Sequence, residues 1–206
     1  TVFGLTEGCE SWEIKNNTSD RVIFKKSDYS DNTWLSDFEA RYPEDNTDYT
    51  NLKRLTDWLV STDRSAVSTE SAKINRLNKF RNEFEDYFVK IPTLYYYIFT
   101  EVFLMVDNRA KNFFPSTFDG VHWLPLPYDM DTAIGINNEG QLVFDYDLED
   151  TDTVSGSNVF NGQESVLWCN VRDAFANEIA AMYAELRNGT AFSYEEVVRR
   201  YTEHQA

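Results

Sequence analysis

Three side chains near the middle of the chain have the types and order that phosphoryl chemistry uses. Asp107 opens the segment Asp107-Asn108-Arg109-Ala110-Lys111-Asn112, and Asn112 closes it five positions later. Asp129-Met130-Asp131 follows, with Asp129 seventeen residues beyond Asn112. An Asp in the first position orients or deprotonates an acceptor hydroxyl, while an Asn and a later Asp hold the magnesium that bridges a nucleotide's phosphates. A short loop lets the first Asp and the Asn turn toward one cleft. Arg109 and Lys111, between these acids, are candidates for facing a phosphate. The plainer reading makes Asp107 an element cap, Asn112 a turn residue, and Arg109 and Lys111 a solvated face or local ion pairs of little energetic weight.

Other chemistries lack their residues. The chain has no Gly-x-Ser-x-Gly elbow, no Gly-x-x-x-x-Gly-Lys phosphate loop and no Gly-x-Gly-x-x-Gly turn. Its two histidines, His122 and His204, stand in unrelated contexts. His122 lies in an aromatic strand and reads as a satisfied structural residue. Cys9 and Cys169 have no neighbouring basic cluster to activate a thiolate, and two cysteines allow one disulfide or none. The acidic run Asp145 to Asp152 is tempting as a calcium loop. Asp150 occupies the sixth position, which needs Gly, and Gly156 the twelfth, which needs Glu. An exposed acidic loop is the better expectation.

The elements that must position these residues follow from periodicity. Ser11 to Lys15 alternates as a strand, Asn16 to Asp20 supplies turn chemistry, and Arg21 to Lys25 returns. An acidic connection follows around Tyr42-Pro43-Glu44-Asp45-Asn46. Leu52, Leu55, Trp58 and Leu59 then predict an amphipathic helix over 50–61. Ile74, Leu77, Phe80, Phe84 and Phe88 mark a second helix, with Ile74 to Phe84 read as core. Pro92 fits the first turn of a third, nearly all-apolar helix running to about Val106. Asn112-Phe113-Phe114, the turn Phe118-Asp119-Gly120 and Val121 to Leu124 predict a hairpin ending at Tyr128-Asp129. Pro125 and Pro127 limit its second strand to an edge or one-sided pairing. Residues 130–165 read as irregular, with one strand candidate from Gln141 to Tyr146. Val171, Phe175, Ile179, Met182 and Leu186 form a core-facing helical stripe that stops before Gly189. Ser193 and Glu196 form a capping box for a last helix. This is an α+β pattern, mainly helical.

Composition narrows the setting. The 206 residues carry 19 Lys and Arg against 35 Asp and Glu, a net charge of −16, with a pI near 4.4. Unaided binding to nucleic acid or an anionic membrane is thereby disfavoured. Ten acids and no Lys or Arg fall between Lys111 and Arg172, so this one stretch carries −10. The content is 42% hydrophobic and 16% aromatic, enough to build a core. No apolar run reaches the roughly 20 residues a membrane helix needs. Length predicts one domain over 1–206, with a strand-rich segment at 1–30 and a mostly helical lobe at 50–206. The chain starts at Thr1 without Met, so it is read as a fragment of a longer chain. The sequons at Asn16, Asn17 and Asn188 leave the compartment open.

Tyr97 to Asp107, Asn112-Phe113-Phe114, Trp123 and Pro127-Tyr128-Asp129-Met130-Asp131 with Gly135 together resemble the core of the spore-coat-H (CotH) kinase family. Arg41-Tyr42-Pro43-Glu44 followed by a helix resembles the region before that core. The resemblance covers residues 40 to 135 and is strongest from 95 to 135. It implies an atypical kinase-like fold that binds ATP with magnesium and phosphorylates Ser or Thr on proteins. Carried over by position, Asp107 would be the catalytic Asp, Asn112 and Asp129 metal ligands, and Asp131 an accessory one. Tyr128 stands where the family has Trp, and Met130 where it has an aromatic residue or Leu. The family's nucleotide-covering lobe with its basic phosphate contact should lie upstream of this core, where the chain has a short strand-like segment and Lys15, Lys25 and Lys26 as its only early lysines, none in a recognisable motif. Two explanations stay open: a carboxy-terminal lobe of a longer kinase, or a kinase-like fold that has lost catalysis. The second is a structural or interaction module of a larger assembly, such as a phage or prophage structural protein, with an assembly partner in place of a protein substrate. A metal-dependent glycosyltransferase using Asp129 and Asp131 is the third reading.

Overall fold

The computed structural model describes residues 8–14, 38–105, 108–109, 112–131, 133–134, 136, 140, 165–189 and 191–204. The chain divides into two compact units, Thr1–Ala174 and Phe175–Ala206. Among the described residues the architecture is α+β: six α-helices and one antiparallel sheet of four strands.

In the first unit the sheet has the order β2-β1-β3-β4, formed by Glu10–Ile14, Phe38–Tyr42, Phe113–Thr117 and Trp123–Pro127 in chain order. Strand β1 alternates as its sequence requires, burying Trp12 and Ile14 while Ser11 and Glu13 stay half-exposed. Its partner β2 was not foreseen, since Glu39 and Arg41 mask its period. The guanidinium of Arg41 bonds Glu13 on the neighbouring strand and offsets that polarity. The predicted return strand at Arg21–Lys25, the candidate at Gln141–Tyr146 and the acidic run 145–152 lie outside the described residues.

The predicted hairpin forms, with Phe113 opposite Pro127 and Thr117 opposite Trp123. Its second strand is an edge, as two prolines without an N–H demand. At the head of that edge Trp123 N donates to Tyr87 O and Val89 N to Trp123 O, both at 2.8 Å. These bonds explain why the second helix does not reach Phe88. Helix α2 is Glu70–Glu83, capped by Thr69 Oγ1, and a short 3₁₀ turn at Phe84–Asp86 delivers Phe88 to a bridge with Trp123. Ile74 is 57% exposed rather than core. On this helix Phe80 is the buried anchor, and Ile74 lies a turn and a half away toward solvent.

Helix α1, Thr50–Ser61, buries Leu52, Leu55, Trp58 and Leu59 as its spacing predicts. Trp58 stacks on Tyr87 at 4.3 Å and Phe80 at 5.1 Å. Helix α3, Lys90–Val102, carries Pro92 in its first turn and buries Leu94, Tyr96, Tyr97 and Ile98. It stops four residues short of Val106, because Leu104 turns left-handed at φ 45° and Met105 N closes the end on Thr100 O. Helix α4, Val166–Ala174, is tied to the end of α1 by polar bonds. Asn170 Nδ2 donates to Thr62 O at 3.2 Å, and Arg64 Nε donates to Asn170 Oδ1 at 2.9 Å. Cys9 and Cys169 are not disulfide-bonded, and Cys9 Sγ donates to Phe118 O at 3.3 Å. His122 packs its Nδ1 against Asp119 Oδ2 at 2.6 Å within the hairpin turn.

The second unit is a helical pair, α5 at Ala176–Gly189 and α6 at Tyr194–His204. The single helix expected across Val171 to Leu186 is split at Phe175, and α5 runs through Gly189. None of its residues is buried, so Ile179 and Met182 are half-exposed rather than core. Two short helices cannot enclose an interior by themselves. Glu196 N donates to Ser193 Oγ, but the Glu196 carboxylate turns to Arg199 and Arg200, whose guanidiniums pull it down to about 2.

Among the described residues, no helix is long and apolar enough to cross a membrane.

Candidate functional site

The candidate site assembles where the third helix ends and the hairpin begins and ends. Helix α3 is held by its apolar face: Tyr96 stacks on Trp168 at 5.5 Å and meets Phe113 at 5.9 Å. The loop that leaves it must reach the start of β3, and two amides within that loop decide its path.

Asn112 is buried, and its Nδ2 donates to the backbone carbonyl of Asp129 at 3.1 Å. Tyr128 N donates back to Asn112 O at 3.1 Å, which extends the hairpin ladder one step beyond β4. Asn112 and Asp129, separated by seventeen residues in sequence, therefore share one site. Asp129 and Asp131 are exposed. Asp107 and Lys111, given a catalytic and a phosphate-facing role from sequence, lie outside the described residues.

Arg109 is 2% exposed and does not face solvent. Its guanidinium pairs with Glu101 of α3 and lies over the Tyr97 ring at 4.8 Å from the centroid. A cation so held neutralises an internal carboxylate and braces the loop against the helix.

Asn108 is the residue that sequence reasoning passed over. It is fully buried, and its Nδ2 lies 3.1 Å from Asn112 O, 3.1 Å from Tyr128 O and 3.5 Å from Asp129 O. Its own carbonyl accepts the Tyr96 hydroxyl at 2.5 Å. The one available signal was compositional: an Asn between Asp107 and Arg109 has no apolar contribution to make and suits a loop-to-backbone bond.

Backbone strain gathers at the same place. Asp129 has φ 48° and Ile134 φ 61°, both left-handed without being glycine. Ile134 N donates to Phe103 O at 2.5 Å, which ties the segment after Asp131 back to the end of α3. Left-handed residues of this kind persist where surrounding contacts over-determine them.

The ligand candidates Asn112, Asp129 and Asp131 carry oxygen donors, and the printed contact between the first two runs through the Asp129 backbone carbonyl. That chemistry suits a hard cation such as magnesium. Among the described residues, no group of three or more His, Cys, Asp or Glu side chains gathers to hold a metal. No protein-family model, no curated protein and no solved structure matches the chain.

Proposed function

We propose that this protein is a CotH-like, kinase-fold domain whose site binds Mg-ATP and transfers a phosphoryl group to a protein hydroxyl. The observation that carries this reading is the Asn112 Nδ2 bond to Asp129 O at 3.1 Å, which joins the two metal-ligand candidates across the hairpin. Asn112, Asp129 and Asp131 would hold the magnesium, and Asp107 would orient the acceptor hydroxyl. Magnesium held there supplies the positive charge that lets carboxylates and phosphates share one cleft. Arg109 contributes by bracing the loop, because its charge is already spent on Glu101.

The test is a thermal shift with Mg-ATP on the full chain, with Asp129→Ala alongside. At a ligand concentration about 100 times Kd the stabilisation is about 2.7 kcal/mol. For a chain of this size that raises Tm by about 5 to 10 °C. The expected outcome is such a shift in the wild type, with affinity reduced at least tenfold in the variant. A wild type without any Mg-ATP shift overturns the reading.

That negative result would favour the second reading, a non-catalytic interaction module in a larger assembly. The withdrawal of Arg109 into an internal ion pair favours it, since the cation closest in sequence to Asn112 among the described residues faces inward.

A further inference from the structure

The site contains one polar side chain whose position neither packing nor metal ligation explains. Asn108 is fully buried, and its Oδ1 has no hydrogen-bond partner among the described residues. Leaving a buried acceptor unmatched is costly, and native folds rarely accept it without a reason. The reason lies on the other branch of the amide. A carboxamide nitrogen has two protons, and here it meets three backbone carbonyls, those of Asn112, Tyr128 and Asp129.

The consequence falls on Asp129. Its carbonyl accepts from Asn112 Nδ2 at 3.1 Å and lies 3.5 Å from Asn108 Nδ2. Two amides on one carbonyl fix the plane of the peptide that follows Asp129. With the Tyr128 carbonyl held by Asn108 Nδ2 at 3.1 Å, Asp129 lies between two fixed peptide planes and has little rotational freedom left. The left-handed φ of 48° is the conformation that satisfies all of these bonds together. Tyr96 holds the clamp from below through its hydroxyl on Asn108 O, so the position is referred to the buried helix.

We propose that Asn108 is the positioning residue of this site: it clamps the hairpin's two ends and sets the turn that presents the Asp129 carboxylate. The inference rests on the Mg-ATP reading for its functional part, but the clamp has its own structural readout. Asn108→Asp is close to isosteric and keeps one oxygen, yet it replaces the donor facing three carbonyls by an acceptor. Asn108→Ser is the second variant, with one hydroxyl donor in place of two amide protons, should the aspartate prevent folding.

Two quantities are measured on the full chain: hydrogen-exchange protection of the Tyr128 amide without metal, and magnesium affinity. In Asn108→Asp both are expected to fall at least tenfold, and in Asn108→Ser by a smaller factor. Asp129→Asn keeps the backbone bonds, so it should lose magnesium affinity while Tyr128 protection stays as in the wild type. Wild-type Tyr128 protection in folded Asn108 variants overturns the positioning role. Absence of magnesium binding by the wild type overturns the functional reading instead, while the exchange result still decides whether Asn108 is the clamp.

Discussion

Asp129 holds a backbone conformation that L-residues adopt at a cost, and the side chains around it supply the bonds that make it worth holding. Asp173 shows a different balance at the same scale. Burial alone would raise its carboxyl, but the guanidiniums of Arg172 at 2.8 Å and Arg64 at 2.5 Å outweigh burial and hold it below the ordinary value. A carboxyl lowered in the folded state adds stability above its unfolded value near pH 4, and that contribution is lost as pH falls through the folded value. Urea unfolding between about pH 5 and pH 2 should therefore show a flatter acid limb in Asp173→Asn than in the wild type. Identical slopes would mean that Asp173 does not couple α4 to Arg64 in solution. The sequence carried little of this. Asn112 and Asp129 were legible as neighbours because spacing and type survive in one dimension. Arg109 was not, because whether a cation faces a phosphate or an internal Glu101 depends on a partner eight residues earlier on α3.

At the scale of elements, the aromatic cement between α1 and α2 sets the stability of the first unit. Trp58 lies against Phe80, Phe84, Tyr87 and Phe88, and its Nε1 donates to Glu83 Oε2 at 3.1 Å. Trp58→Ala should cost about 3–5 kcal/mol, read from chemical denaturation, by transfer loss and the cavity left behind. A loss under about 1 kcal/mol would show that the neighbouring rings collapse into the space. Helix α1 and the hairpin were readable from the sequence because each has a clear period and clean breaks. Strand β2 was not, since Glu39 and Arg41 hide an alternation that only Glu13 across the ladder makes favourable. The ends of α2 and α3 were misplaced for a related reason. Local apolar spacing continues past both, but Trp123 captures the backbone at Tyr87 and Val89, and Leu104 turns the chain at the end of α3.

For the whole molecule, a net charge of −16 on 206 residues makes self-repulsion a general destabilising force. Raising NaCl from about 0.01 M to about 0.15 M shortens the Debye length from about 30 to about 8 Å. Tm should rise over that range, because the exposed pairs such as Lys53–Asp57 and Lys73–Glu70 lose only tenths of a kcal/mol each. A Tm that falls would show attractive pairs outweighing repulsion.

Composition and periodicity were sufficient to determine an α+β chain with an apolar central helix and a proline-edged hairpin after it. Those properties are local: they depend on residue type and on the 2.0 and 3.6 periods of strand and helix. The convergence of Asn112 on Asp129, the inward turn of Arg109 and the clamp at Asn108 were decided only in three dimensions. Each depends on a backbone carbonyl or a carboxylate brought in from elsewhere in the chain, and carbonyls are identical in every residue. A buried amide finds its partner through the fold, so its role becomes visible only when the hairpin has closed over it.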